Sequence, residues 1–333
     1  MNPESNDNKL NNNLDNLKSD YFLQKFFDNI KKKKTLEIIK YNKNVQKRLN
    51  ININNYIIFS KLYSSIKIEI KPITQKYGQF INTATADKKY YHIYFDDNKK
   101  EIKRNYLTKE DKVNKIKIIV NYKVKTFEKL FSCSKCIESI DFKIFNRINI
   151  INMSYMFARC KALKDINLSN FNTINVISMA GMFDSCSLLK ELNLSKFNTN
   201  KVIDMHSMFR GCASLKELNL SNFNTNTVID MGCMFFECSS LKELNLSNFN
   251  TDNVTNMNLI FGECSLLENL DISKFNINNV ANMIDMFSEC SSLKELKFYN
   301  FNINNIDKVH IMLDGCSDEL KKKIFEQNKN IKI

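Results

Sequence analysis

The sequence predicts an α/β repeat solenoid with a 26-residue period, a parallel sheet on one face and short helices on the other, joined to an N-terminal α+β domain. Three observations predict it. Cys160, Cys186, Cys212, Cys238, Cys264, Cys290 and Cys316 recur 26 residues apart. Leucine, methionine and phenylalanine columns keep the same step between those cysteines. The charge also changes sign along the chain: residues 1–159 carry 32 Lys+Arg against 16 Asp+Glu, and residues 160–316 carry 12 against 17.

Taken in chain order, residues 1–18 are polar and Asn-rich and are expected to be disordered. No apolar h-region is read there, and no run of about 18 apolar residues occurs, so neither a secretory signal nor membrane insertion is expected. The chain reads as cytoplasmic.

Residues 19–130 read as a basic α+β domain capping the open end of the repeats. Tyr21, Phe22, Phe26, Phe27 and Ile30 share a helical stripe, which Leu36, Ile38, Ile39, Val45 and Leu49 continue. Beyond them Ile66, Ile68 and Ile70 alternate with polar residues, as do Tyr91, Ile93 and Phe95, and Ile116 and Ile118, which is strand spacing. Outside Lys31–Lys34 the lysines are scattered, so no nucleic-acid partner is expected despite the net charge of +13.

Residues 131–316 are the repeats. Counting from each Cys, leucine stands at +3 (Leu163, Leu189, Leu215 and onward) and Leu or Ile at +6 and +8, such as Leu192 with Leu194. Residues two apart share one side of a strand, so the residue between them faces outward. A Phe–Asn pair follows (Phe171–Asn172, Phe197–Asn198 and onward), and its Asn column is read as a buried ladder that fixes the turn. Met179, Met182 and Phe183, repeated as Met205, Met208 and Phe209, have helical spacing. Ser178, Asp204, Asp230, Asn256 and Asn282 stand where an N-cap would. Residues 317–333 are read as a helical cap.

The segments L-K-E-L-N-L-S-N-F-N-T and V-I-D-M-x-x-M-F-x-x-C resemble the BspA-like leucine-rich repeats, the bacterial surface protein 26-residue repeat, over about residues 134–316. The first unit is degenerate, with Ser134 in the Cys position. The resemblance implies a curved leucine-rich-repeat-like solenoid used as a binding surface, with the cell surface as the family's usual setting and an adhesin as one role. The opening helices, with aromatic residues followed by Leu-x-x-Ile at Leu36–Ile39, resemble an F-box-like segment. That likeness implies a substrate-recognition adapter of a ubiquitin ligase.

No chemistry-bearing constellation stands out. A buried thiol is a small hydrophobe, so the Cys column is read as packing. Cys133 and Cys136 form a single C-x-x-C without a second ligand pair, so no metal is expected. His92, His206 and His310 flank no nucleophile, no phosphate loop is present, and no cofactor or enzymatic activity is expected. The expected function is protein–protein interaction through the outward strand face. That face presents Glu191, Glu217, Glu243 and Glu295, then Asn167, Asn193, Asn219 and Asn245, with Lys297 and Tyr299 breaking the pattern in the last repeat. Repeated carboxylates and amides suit a basic or polar protein partner.

Overall fold

The computed structural model describes Leu14 and residues 19–28, 32–83, 87–298 and 312–327. The chain divides into two compact units, Met1–Ser64 and Ser65–Ile333.

The first unit is helical, with α1 at Asp20–Asp28, α2 at Lys32–Ile39, α3 at Lys43–Arg48 and α4 at Ile53–Tyr63. Leu23, Phe27, Ile39 and Val45 bury against Leu14 in a small core. Asn42 starts α3 by accepting the Val45 N–H, and Asn52 starts α4 through a capping box with Asn55.

In the second unit the alternating isoleucines are strands. They are β1 at Ile66–Pro72, β2 at Gly78–Gln79, β3 at Tyr91–Phe95, β4 at Tyr106–Leu107, β5 at Ile116–Val120, β6 at Ile137–Ile144, β7 at Asp165–Asn167, β8 at Asn269–Asp271 and β9 at Glu295–Lys297. Five of them form one mixed sheet in the order β3-β5-β1-β6-β7, antiparallel except for the parallel β6–β7 pair. β6 is the strand segment of the degenerate first repeat, so strands on either side of residue 130 share a sheet. Arg147 is fully buried beside this junction and donates to the Asn121 and Val124 carbonyls and to Asn149 Oδ1, and burial pushes its pKa down to about 10.

The α/β solenoid predicted from the sequence is not what forms. The structure has this mixed five-stranded sheet, two-stranded β2–β4 and β8–β9 sheets, and few short helices. Among the described residues, no α-helix lies between Ile66 and Phe298. The parallel strand face is fragmentary too, since Glu191–Ser195 and Glu217–Ser221 are not strands.

The physical reason lies in the Met–Phe segments. An α-helix sends every N–H to the fourth carbonyl behind it. Here alternate N–H groups leave the repeat: Met205, Ser207, Phe209 and Gly211 donate to the carbonyls of Asp230, Gly232, Met234 and Phe236 at 2.7–3.0 Å. The residues between close tight turns, Met208 on Met205, Arg210 on Ser207 and Cys212 on Phe209. Two positions per repeat are left-handed, as at Cys233 (φ 56) and Glu237 (φ 60), and a helix cannot run through them. The result is a turn ladder, joined by single parallel bridges from Asn152 through Ser178, Asp204, Asp230 and Asn256 to Asn282.

Adjacent repeats also meet through side chains. Phe131, Phe157, Phe183, Phe209, Phe235, Phe261 and Phe287 stack with centroids 5.4–5.9 Å apart and planes within 14° of parallel. Each column thiol from Cys160 to Cys316 donates to the carbonyl of the Phe 29 residues earlier, with S···O of 2.9–3.2 Å. Thr173, Thr199, Thr225 and Thr251 are buried between repeats. Each donates to the carbonyl of the Asn 25 residues later at 2.7–2.9 Å and accepts that residue's N–H at 2.7–2.8 Å. The Asn column read as a buried ladder is instead half-buried, and it closes turns inside its own repeat, as where Asn200 N–H donates to Asn198 Oδ1 at 3.1 Å. The chain ends its described part in α5, Asp318–Gln327, whose Leu320 and Ile324 join the same core as Leu313 and Cys316.

Candidate functional site

The outward positions of the leucine segments are exposed, as the Leu-x-Leu spacing dictates. Leu192 and Leu194 point inward while Glu191, Asn193 and Ser195 face solvent. The Asn at each +7 position has a structural duty. Asn167, Asn193, Asn219 and Asn245 each accept, through Oδ1, the N–H two residues on, from Ser169, Ser195, Ser221 and Ser247 at 3.0 Å, and Asp271 does the same with Ser273. This is an Asx turn, which stops the segment after two leucines. The constancy of this column therefore follows from chain geometry.

The expected site residues do not act as one strip. Asn167 lies on β7, the edge strand of the mixed sheet, its amide donating to Asp141 Oδ1 at 3.1 Å. Glu191, Asn193, Glu217 and Asn219 lie outside any strand. Tyr299 is outside the described residues. Glu243, Asn245, Glu295 and Lys297 come together in a groove of about 400 Å³ formed over the β8–β9 pair. Glu243 bridges to Asn269, Asn269 pairs with Glu295, and Asp271 pairs with Lys297, which sets these side chains one repeat apart.

The groove also takes in Ser273, which keeps the column of Ser169, Ser195, Ser221 and Ser247, and Asp271 and Lys274, which a search for constant columns passes over because they depart from theirs. The Ser273 hydroxyl and N–H hold the Asp271 carboxyl below the usual carboxylate range. Three carboxylates thus face two lysines across a short apolar floor of Leu244, Leu246 and Leu270. Such a surface can pair with a partner's cations and amides, and its lysines set an orientation.

A polar cluster on the turn ladder escaped sequence reasoning. The Ser154 and Ser178 hydroxyls meet at 2.6 Å, and Ser178 reaches Asp204 Oδ2 at 3.4 Å. His206 Nδ1 lies 3.4 Å from Asp230 Oδ1, within ion-pair reach though long for a hydrogen bond. The Asp230 interaction raises the His206 pKa above its ordinary value against the opposing effect of burial. Burial alone would raise Asp230, yet His206, the Gly232 N–H and Asn256 bring it below its ordinary value. The only sequence signal was that the columns at Ser154, Ala180, His206, Gly232 and Asn258, and at Tyr155, Gly181, Ser207, Cys233 and Leu259, differ in every repeat.

The buried column thiols are held protonated, with Cys160, Cys238 and Cys290 pushed up to about 12 by burial. Cys136 is buried and points at the Gly78 and Gln79 carbonyls, while Cys133 is exposed, so the C-x-x-C does not converge on one point. Among the described residues, no group of three or more His, Cys, Asp or Glu is arranged to hold a metal ion, and no helix is long and apolar enough to cross a membrane.

The repeat region, described above from its hydrogen bonds, matches a family described as "Mycoplasma protein of unknown function, DUF285", over residues 124–242 and again over 214–327. The chain belongs to this family. The two matches together span more than half of the chain and begin at Val124, between strands β5 and β6 of the five-stranded sheet. No curated protein and no solved structure is significantly similar to the chain.

Proposed function

We propose that this DUF285 chain is a non-enzymatic protein-binding module that engages a basic or polar protein partner through the groove lined by Glu243, Asn245, Asp271, Lys274, Glu295 and Lys297. The observation that carries the reading is where the leucine segments cease to be uniform. The Glu position becomes Asn269 in one repeat and returns to Glu295 in the next, while the Asn position becomes Asp271 and then Lys297, and the departures Asn269, Asp271 and Lys297 line the groove. The Asn column answers to the Asx turn; Asp271 keeps that turn while adding a charge the turn does not need, and Lys297 departs from it. The resemblance to BspA-like repeats, whose family uses them for binding, supports the same reading. Ten free thiols suit a reducing, cytoplasmic setting for it.

A second reading gains from the separately compact helical unit at Met1–Ser64. In that reading the helices dock a ubiquitin-ligase scaffold and the groove selects the substrate.

The test is affinity purification with mass spectrometry on the full chain, comparing wild type with a Glu243→Lys/Asp271→Lys/Glu295→Lys variant. A control carries Glu191→Lys/Glu217→Lys. The reading expects a partner lost only from the groove variant. Equal loss from both variants, or from neither, removes the groove as the recognition surface. Co-purification of a ligase scaffold from all three would carry the adapter reading.

A further inference from the structure

The turn ladder carries a second surface, separate from the groove. At the position before each bridge residue stand Ile151, Ile177, Ile203 and Ile229, and all four are 42–47% exposed. They are adjacent in space because each backbone bonds the next: Ile177, Ile203 and Ile229 N–H donate to the carbonyls of Ile151, Ile177 and Ile203 at 2.8–2.9 Å. The following repeats hold the same backbone bonds with Thr255 and Ala281, at 2.8–2.9 Å. Isoleucine is therefore not what the ladder requires at this position.

Carboxylates stop at the same place. The bridge residues beside the isoleucines include Asp204 and Asp230, and from the next repeat onward they are Asn256 and Asn282. The turn-closing role is kept throughout, with His206, Gly232, Asn258 and Ile284 N–H donating to these Oδ1 atoms at 2.8–3.2 Å. Asn serves that role as well as Asp, so the turn does not need the negative charge. Of the nearby cations, Lys201 is turned to Asn175 Oδ1 at 2.7 Å, Arg210 sits between Asp184 and Glu237, and His206 lies 3.4 Å from Asp230 Oδ1. An apolar row and two carboxylates, both dispensable to the backbone, thus coincide in the same repeats.

The spacing selects the occupant. Neighbouring backbones in a ladder lie about 4.8 Å apart. A helix laid along the row presents one side chain per turn, about every 5.4 Å, and accumulates a mismatch of roughly 2 Å over three steps. An extended segment repeats a face about every 6.8 Å and accumulates roughly 6 Å. We propose that Ile151, Ile177, Ile203 and Ile229, with Asp204 and Asp230, dock an amphipathic basic helix of a partner protein. Its apolar stripe lies on the isoleucines and its Lys or Arg side chains face the two carboxylates.

The chain itself supplies substitutions compatible with the fold. Ile177→Thr/Ile203→Thr/Ile229→Thr copies Thr255, and Asp204→Asn/Asp230→Asn copies Asn256 and Asn282. The probe is a synthetic amphipathic peptide of about 14 residues, four turns, with one leucine stripe flanked by lysines. Its counterparts carry Glu for Lys, or a central proline that breaks the helix. By fluorescence anisotropy with the full chain, the lysine peptide is expected to bind wild type. Each variant set is expected to weaken it at least tenfold, Glu319→Gln/Glu326→Gln on the exposed face of α5 to leave it unchanged, and both counterpart peptides to fail. No binding at about 1 mM lysine peptide overturns the proposal, since even helix-in-groove pairs of low affinity register there. So does equal affinity for wild type and either ladder variant, or equal binding of the proline-broken peptide. Self-association in analytical ultracentrifugation that the Ile→Thr variant abolishes would assign the row to a second copy and equally overturn it.

Discussion

The two sides of one repeat are built by different rules. On the leucine side, inter-repeat backbone bonds are few and long in the middle of the array, as with Lys242 N–H to the Lys216 carbonyl at 3.4 Å. Contact there is mainly side chain on side chain. On the turn side every second N–H crosses to the neighbour, and the stacked phenylalanines and buried thiols lie directly behind. The turn side therefore locks repeat to repeat, and the leucine side fills volume. A surface can vary most safely where the backbone already carries the contacts, which is where His206, Cys233 and Asn258 differ from their counterparts.

The largest effect that sharpens this comparison is at the stack. Phe209 is fully buried between Phe183 and Phe235. Phe209→Ala is expected to cost about 3–5 kcal/mol by cavity formation and lost stacking. Leu218→Ala, on the leucine side and nearer solvent, is expected to cost about 2–3 kcal/mol. Urea unfolding with matched m-values decides it, and an equal or reversed order would mean the two sides contribute alike.

Next in size is the threonine link. Thr225 Oγ1 donates to the Asn250 carbonyl and accepts its N–H, both within 2.8 Å, in a buried site. Thr225→Val keeps the shape and removes both bonds, leaving two backbone groups unpaired. A loss of about 1–3 kcal/mol is expected. Hydrogen exchange at the Asn250 amide should quicken with it, and unchanged protection would show that the hydroxyl does not join the repeats.

These contrasts explain what the sequence could and could not reveal. The period and the buried columns were legible because each large side chain repeats: Leu189, Phe197, Met205, Phe209 and Cys212 are all buried as the pattern implies. The helices were misread because Met205, Met208 and Phe209 have the same spacing in a turn ladder as in a helix. The sign that would separate the two is a left-handed residue, and those positions hold Ser207, Cys233, Glu237 and Leu259, with glycine only at places such as Gly211. The reading of residue 130 as a boundary used charge, whereas β6 joins β1 through backbone bonds that charge does not report. In the candidate site, Glu243, Asn245, Glu295 and Lys297 were legible from alternation, but the Asx duty of Asn193 and Asn219 depends on a turn whose type the pattern does not specify.

A smaller effect tests the ladder directly. Glu263 is exposed, left-handed at φ 57, and its N–H donates to the Ser288 carbonyl at 2.7 Å. Glycine relieves the left-handed strain and keeps that bond, so Glu263→Gly should stabilise by about 0.5–1 kcal/mol. In a helix the same change would destabilise by about 1 kcal/mol. The sign of the shift therefore distinguishes the two architectures.

The smallest effect is electrostatic and belongs to the varied columns. Asp230 raises His206, while Asp204 adds to that and Arg210 opposes it. A raised histidine contributes stability that is complete below the unfolded value, about 6.5, and is lost as pH rises through the higher folded value. A lowered Asp230 contributes above its unfolded value, about 3.8, and is lost as pH falls through the folded one. Both contributions are present only between those limits, so the pair is strongest near pH 5. His206→Gln should then cost about 0.5 kcal/mol near pH 5, the size usual for a solvent-screened pair, and less at pH 8. In an NMR titration the His206 midpoint should lie above 6.5 in wild type and move down in Asp230→Asn. A midpoint that ignores Asp230→Asn would mean the two side chains are neighbours without being coupled, and the variation at this column would then concern shape alone.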